Sequence, residues 1–182
     1  MTLRILVPLL LVLAPFSAQA NTPVSVEVTR AQDKTYSVEA AFEVAAAPHI
    51  VWAVLTDYEG IAGFVSSIRQ STVKRREPGR VVIEQHGVGK AWIVAVPMHV
   101  VLEVREDGER VLAFRDLCGK SFTTYEGQWE ISAAEGRTRV TYRLKADPSG
   151  RQPALLARPA IRGSVKKLLD EVRTEILARA AR

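Results

Sequence analysis

Apolar and polar residues alternate from Tyr36 to Val44. Tyr36, Val38, Ala40, Phe42 and Val44 share one side, while Glu39 and Glu43 point away, which predicts a strand. Upstream, Val24-Ser25-Val26-Glu27-Val28 alternates more briefly, as either an extra edge strand or a loose arm. Pro48 suits a first helical turn, where its missing N–H would have had no partner anyway. Ile50, Val51, Val54 and Leu55 mark one side of a short helix ending near Thr56-Asp57, and a second short helical piece with Gly60 and Gly63 closes at Phe64. From Ile68 the period becomes two. Strands are expected at Ile68–Glu77, Arg80–Val88, Ala91–Arg105, Arg110–Leu117, Phe122–Ser132 and Thr138–Ala146. Turn chemistry separates them at Pro78-Gly79, Gly87 to Gly89, Asp107-Gly108, Gly119 and Gly136. Pro148, Gly150, Pro153 and Pro159 mark a loop, after which the period is helical. Ile161, Val165, Leu168, Val172 and Ile176 form one stripe, widened by Leu169 and Leu177.

The predicted order is strand, two short helices, six strands and a long C-terminal helix, an α+β chain. Joins this short permit only antiparallel neighbours, so the strands form a meander in a sheet of about seven. A sheet that long must curl, and the C-terminal helix is the element long enough to cover its apolar face. Inward positions are Val81, Ile83, Trp92, Val94, Val96, Met98, Val100, Leu102, Tyr125, Trp129, Ile131, Val140, Tyr142 and Leu144. Glu84, Glu103, Arg105, Glu126, Glu130, Arg139, Arg143 and Lys145 face solvent. Arg110–Arg115 does not alternate cleanly, which leaves Arg115 either inward, as an anion anchor, or outward on the surface.

The N-terminus follows other rules. Arg4 precedes the uncharged run Ile5–Phe16, and Ser17-Ala18-Gln19-Ala20 has the small-x-small pattern of a signal-peptidase site. The run falls short of the roughly 20 apolar residues a spanning helix needs. Cleavage after Ala20, and a periplasmic or secreted protein, are therefore expected. The organisation reads as 1–20 signal peptide, 21–34 arm or edge strand, and 35–182 one domain. Of the 182 residues 47% are hydrophobic and 25% charged, ordinary for a folded domain. A net charge of +5 and a pI near 9.6 fall short of a nucleic-acid-binding tail, and export argues against a nucleic-acid partner. A lone cysteine, Cys118, makes no intramolecular disulfide and is expected to be a buried small apolar residue.

Pro48-His49-Ile50-Val51-Trp52 running into Leu55-Thr56-Asp57-Tyr58, then Gly127-Gln128-Trp129-Glu130-Ile131 and Thr138-Arg139-Val140-Thr141-Tyr142, resemble the START-like (SRPBCC, helix-grip) superfamily. Its polyketide cyclase and coenzyme Q-binding COQ10-type branches are included in the likeness, which covers Thr35 to about Ala181. The resemblance implies a curved antiparallel sheet gripping the C-terminal helix around a cavity that takes a hydrophobic small molecule or lipid. These motifs are signatures of architecture and do not choose the ligand.

Catalytic chemistry is sparse. His49, His86 and His99 have no partners at metal-site or triad spacing, and no His-Glu-x-x-His, Cys-x-x-Cys or Gly-x-Ser-x-Gly motif occurs. No metal site and no cofactor are expected. Ligand contacts are expected from Trp92, Met98, Phe114, Tyr125, Trp129 and Tyr142 on the sheet and from Ile161, Val165 and Leu168 on the helix. Tyrosine suits this role because it joins an apolar ring to one orienting hydroxyl. The favoured reading is a non-enzymatic carrier. The alternative is a cyclase or dehydratase in which Tyr125, Tyr142 and Arg115 donate protons or polarise a carbonyl. A third is a filled core whose outer surface serves a protein partner. The basic residues of the last helix form either a solvated face, with Lys166–Asp170 and Lys167–Glu171 pairs, or a contact for an anionic membrane surface.

Overall fold

The structure, a computed structural model, describes residues 23–33, 35–91, 94–134, 136–149 and 154–182. The expected signal peptide and Trp92 lie outside them. Eight strands, β1 (Ser25–Arg30), β2 (Tyr36–Val44), β3 (Ile68–Glu77), β4 (Arg80–Ala91), β5 (Val94–Asp107), β6 (Val111–Asp116), β7 (Phe122–Ala134) and β8 (Arg137–Pro148), form one sheet. Their order is β1-β2-β8-β7-β6-β5-β4-β3, with every neighbouring pair antiparallel. The eighth strand is the stretch that alternation left open. Val28 pairs with Val38, so Ser25–Arg30 is an edge strand and not an arm.

After β2 the chain crosses to the far edge through α1 (Pro48–Leu55) and a single 3₁₀ turn at Gly60–Gly63, then returns strand by strand until β8 lies beside β2. The closing helix, α2 (Ala154–Ala180), packs on β1 and β2 at one end of the sheet, on β4 towards the other, and on α1. A curled sheet that holds one helix from both ends is the helix-grip arrangement. Its core joins Val38, Ala40, Phe42 and Val44 of β2 to Val51 and Val54 of α1 and to Val165, Leu169, Val172 and Ile176 of α2.

Three local expectations change. The helix begins at Ala154, with Pro159 inside it, and not at Ile161. Pro159 is the sixth residue of that helix, so its missing N–H removes one bond to the carbonyl four residues back, and its ring crowds that carbonyl, in the second turn. The strand break expected at Gly87 to Gly89 is absent: β4 runs on to Ala91, which pairs with Val94. Gly87 serves a close approach instead, because a Cβ there would stand 2.2 Å from the Ser67 carbonyl oxygen. The prolonged β4–β5 ribbon extends past its flanking strands, since β3 pairs with β4 only as far as Gly87 and β6 with β5 only as far as Leu102. That explains Val96, expected inward but 41% exposed.

Candidate functional site

The inner face of the central strands carries an aromatic cluster. Trp129 of β7 lies opposite Tyr142 of β8, with ring centroids 4.4 Å apart. Phe114 of β6 lies opposite Gly127 of β7, and its ring stands 5.7 Å from that of Tyr125 and 6.2 Å from that of Tyr142. Phe122 completes the group, 4.5 Å from Tyr125. Gly127 makes this possible. A Cβ at that position would come within 2.7 Å of Phe114 Cζ and 2.2 Å of the Arg143 carbonyl oxygen. Only glycine lets the Phe114 ring lie across β7 and the two backbones approach so closely.

The two tyrosine hydroxyls interact. Burial, first of all, raises the Tyr142 phenol well above its usual range, and the Tyr125 hydroxyl raises it further. Burial also raises Tyr125, opposed by a hydrogen bond from Tyr142 and assisted by the Asp116 carboxylate. A phenol shifted upward stays protonated at neutral pH, so this pair can donate or accept a hydrogen bond but cannot act as a general base there.

The residues expected at the site divide by burial. Phe114, Tyr142 and Val165 are buried in the core. Met98, Tyr125, Trp129, Ile161 and Leu168 pack against that core but keep part of their surface open, as does Phe122, which alternation did not single out. Trp92 lies outside the described residues. On α2 the centre of the apolar stripe is Leu169, fully buried, with Leu168 on the half-buried flank. This reverses their expected ranks. The reversal follows from the helical period, since Val165, Leu169, Val172 and Ile176 advance by three or four residues and stay on one line.

The signature motifs act as fasteners. Tyr58 Oη donates to Glu106 Oε1 at 2.7 Å, which ties the end of α1 to β5, and burial followed by this bond raises the phenol far above its usual range. Asp57 accepts from the Gly60 N–H at 3.1 Å and from Arg179 Nη2 at 2.6 Å, so it holds the 3₁₀ turn and the last turn of α2 together. Thr138 Oγ1 donates to the Ala46 carbonyl at 2.6 Å. None of these groups points to a reacting centre.

The outer face is ionic. Arg115 points outward and lies opposite Glu103, with its Nη2 and Nε 3.0 and 3.1 Å from Glu103 Oε1. Glu103, expected to face solvent, is nearly buried because Arg80, Arg105 and Arg115 roof it. Burial alone would raise its carboxyl, but the guanidinium charges of Arg115, Arg80 and Arg105 outweigh that and hold it below the usual range. A solvent-open groove of about 640 Å³ runs over this face, lined by Glu39, Glu103, Arg105, Arg115, Gln128 and Arg143 among others. Farther along, His86 and His99, which sequence spacing left unconnected, lie opposite each other on β4 and β5 beside Glu84. Cys118 is half-buried and not enclosed; its thiol lies 3.7 Å from the His99 carbonyl. On α2 the pairs Lys166–Asp170 and Lys167–Glu171 form at 2.6 and 3.7 Å, and Arg179 is held by Glu175 as well as Asp57. No helix among the described residues is long and apolar enough to cross a membrane.

Solved structures share this architecture. A Thermus thermophilus protein superposes with a TM-score of 0.69 at 22% identity, covering 79% of this chain and 99% of that one. An aromatase/cyclase from Streptomyces gives 0.66 at 19% identity, covering 81% and 94%. A STAR-related lipid transfer protein from Xanthomonas axonopodis gives 0.66 at 16% identity, covering 83% and 98%. At such identities the likeness establishes the fold. No curated protein matches the sequence. Residues 35–177 match the family described as polyketide cyclase / dehydrase and lipid transport, and the chain belongs to that family.

Proposed function

We propose that this chain is an exported protein that binds and carries a hydrophobic small molecule or lipid between α2 and the central strands. The observation that carries this reading is the half-open inner face. Met98, Phe122, Tyr125, Trp129, Ile161 and Leu168 are large apolar groups that the core leaves incompletely covered. An apolar ligand laid against them would remove that surface from water, at about 25 cal/mol per Å² buried. The family's lipid-transport description and the lipid transfer protein of the same fold support the ligand class. The N-terminal pattern at Arg4–Ala20 supports export. The Tyr125 and Tyr142 hydroxyls would orient one polar group of the ligand.

That tyrosine pair, together with the aromatase/cyclase of the same fold, favours a second reading in which the same site shapes a reactive ligand. The carrier is preferred because neither phenol can serve as a base at neutral pH, and Arg115 is committed to Glu103 on the opposite face.

The test is native mass spectrometry of protein purified from its own compartment, followed by solvent extraction. A lipid, quinone or isoprenoid is expected to leave with the wild type and to be absent from Leu168→Arg, whose half-buried position tolerates a charge without unfolding. Cargo retained in a folded Leu168→Arg would refute the placement. Wild type that is empty, and that also fails to take up a fluorescent fatty acid or a quinone, would refute the reading itself.

A further inference from the structure

The outer face of β4 and β5 brings together three groups that sequence spacing does not connect. His86 and His99 occupy directly opposed register positions, and their rings stack with centroids 4.2 Å apart and planes 18° from parallel. Glu84 precedes His86 by two residues, which places it on the same face of β4. His99 Nε2 lies 2.9 Å from Glu84 Oε1, and His86 Nε2 lies 3.6 Å from that same oxygen. Both imidazoles therefore turn the same nitrogen towards one carboxylate oxygen, and the three donor atoms all fall within 4.8 Å of one another.

From this convergence we propose that Glu84, His86 and His99 form a surface site for a first-row transition-metal ion of the zinc type. Zinc holds imidazole nitrogen and carboxylate oxygen at about 2.0–2.2 Å, so donors around one ion stand roughly 3.3 Å apart. The Glu84 distances of 2.9 and 3.6 Å bracket that spacing. Closing the ring nitrogens onto one ion needs only side-chain rotation, because the cross-strand pairing already fixes where both rings start. Two imidazoles and one carboxylate suit zinc, copper or nickel better than calcium or magnesium, which prefer all-oxygen shells. The carboxylate is held from behind: Lys74 Nζ lies 2.9 Å from its other oxygen, Oε2, which leaves Oε1 for the ion. A hydrogen bond to the second oxygen of a ligating carboxylate is a common outer-shell arrangement. The bulge between Val73 and Arg75 on β3 is where Lys74 stands. With His86 open to solvent, the remaining coordination positions would be filled by water. The site lies on the sheet face opposite the aromatic cluster and does not depend on the carrier reading.

The experiment is calorimetric titration of Zn²⁺ into tag-free protein, with the intense visible bands that Co²⁺ gains on leaving its six-coordinate aqua shell for a four-coordinate site as a second readout. One ion per chain is expected to bind saturably, with visible cobalt bands. His86→Ala and His99→Ala should each weaken binding at least about tenfold and erase the bands, with Glu84→Gln weakening it less. All three side chains stand on the outer face, so circular dichroism and the thermal midpoint should show the variants folded. Absence of saturable binding to the wild type up to millimolar metal would overturn the site. So would affinity that survives unchanged in a folded His86→Ala or His99→Ala variant.

Discussion

Along β6 and β7, successive residues enter opposite surroundings. Leu112, Phe114, Tyr125 and Trp129 turn to an interior of rings and aliphatic chains, while Arg115, Glu126 and Gln128 turn to a surface of ion pairs and a solvent-open groove. The inner face is held by shape. Its rings meet at fixed distances, and Gly127 is bare because the Phe114 ring and the Arg143 carbonyl occupy the space a side chain would need. The outer face is held by charge, and its pairs are mostly exposed, where each contributes little. Glu103 is the exception, since its three arginines close over it. A defect inside should therefore cost stability steeply and at every pH, whereas a defect outside should appear chiefly as a changed response to pH or salt.

The sharpest way to break that contrast is Gly127→Val. Contacts of 2.2 and 2.7 Å to backbone and ring leave no room for the new side chain, so the central strands must separate. A loss of about 4 kcal/mol or more is expected in urea titration, a large share of an ordinary domain's stability. A soluble Gly127→Val variant with the wild-type midpoint would show that the inner face is far looser than its geometry.

Next comes the pair Leu169→Ala and Leu168→Ala. Truncating the fully buried Leu169 should cost about 3 kcal/mol, and truncating half-buried Leu168 less than about 1.5 kcal/mol. Equal losses, measured by the same titration, would mean that α2 sits rotated from the orientation described.

The smallest effect is expected from Glu103→Gln. The Glu103 carboxyl is held below its unfolded range, so its stabilising contribution is present above that range and is lost as pH falls through the lower folded value. Removing the charge should lower the thermal midpoint at neutral pH, with the difference from wild type shrinking as the pH falls into the acid range. A difference that grew on acidification would reverse the sign and discard the arginine roof as its cause.

How much of this could be read from the residues depends on the range of the interaction. Every strand from β2 to β8 was legible, because a period of two is a property of the local chain, and the turns at Gly79, Gly108, Gly119 and Gly136 all adopt the left-handed backbone that such turns need. The half-open set was mostly legible too: Met98, Tyr125 and Trp129 follow from alternation, and Ile161 and Leu168 from the helical stripe. Phe122 was not, because it stands at the start of β7, where the register with β8 shifts before Thr124.

Arg115 shows why pattern alone falls short. Its segment does not alternate cleanly, and it turns outward to pair with Glu103, twelve residues back and directly across the β5–β6 ladder. The histidines make the same point through register. A turn at Gly87 to Gly89 would have set His86 against residues beside that turn; the longer ribbon sets it against His99 and so creates the cluster with Glu84.

The element types, the apolar side of nearly every strand and the need for one long covering helix all follow from local period and burial. The eighth strand, the central place of Leu169, the outward turn of Arg115 and the meeting of His86 with His99 emerge from packing and pairing across the sheet. Each of those depends on which residue stands opposite which, and pairing register is a property of two distant segments at once.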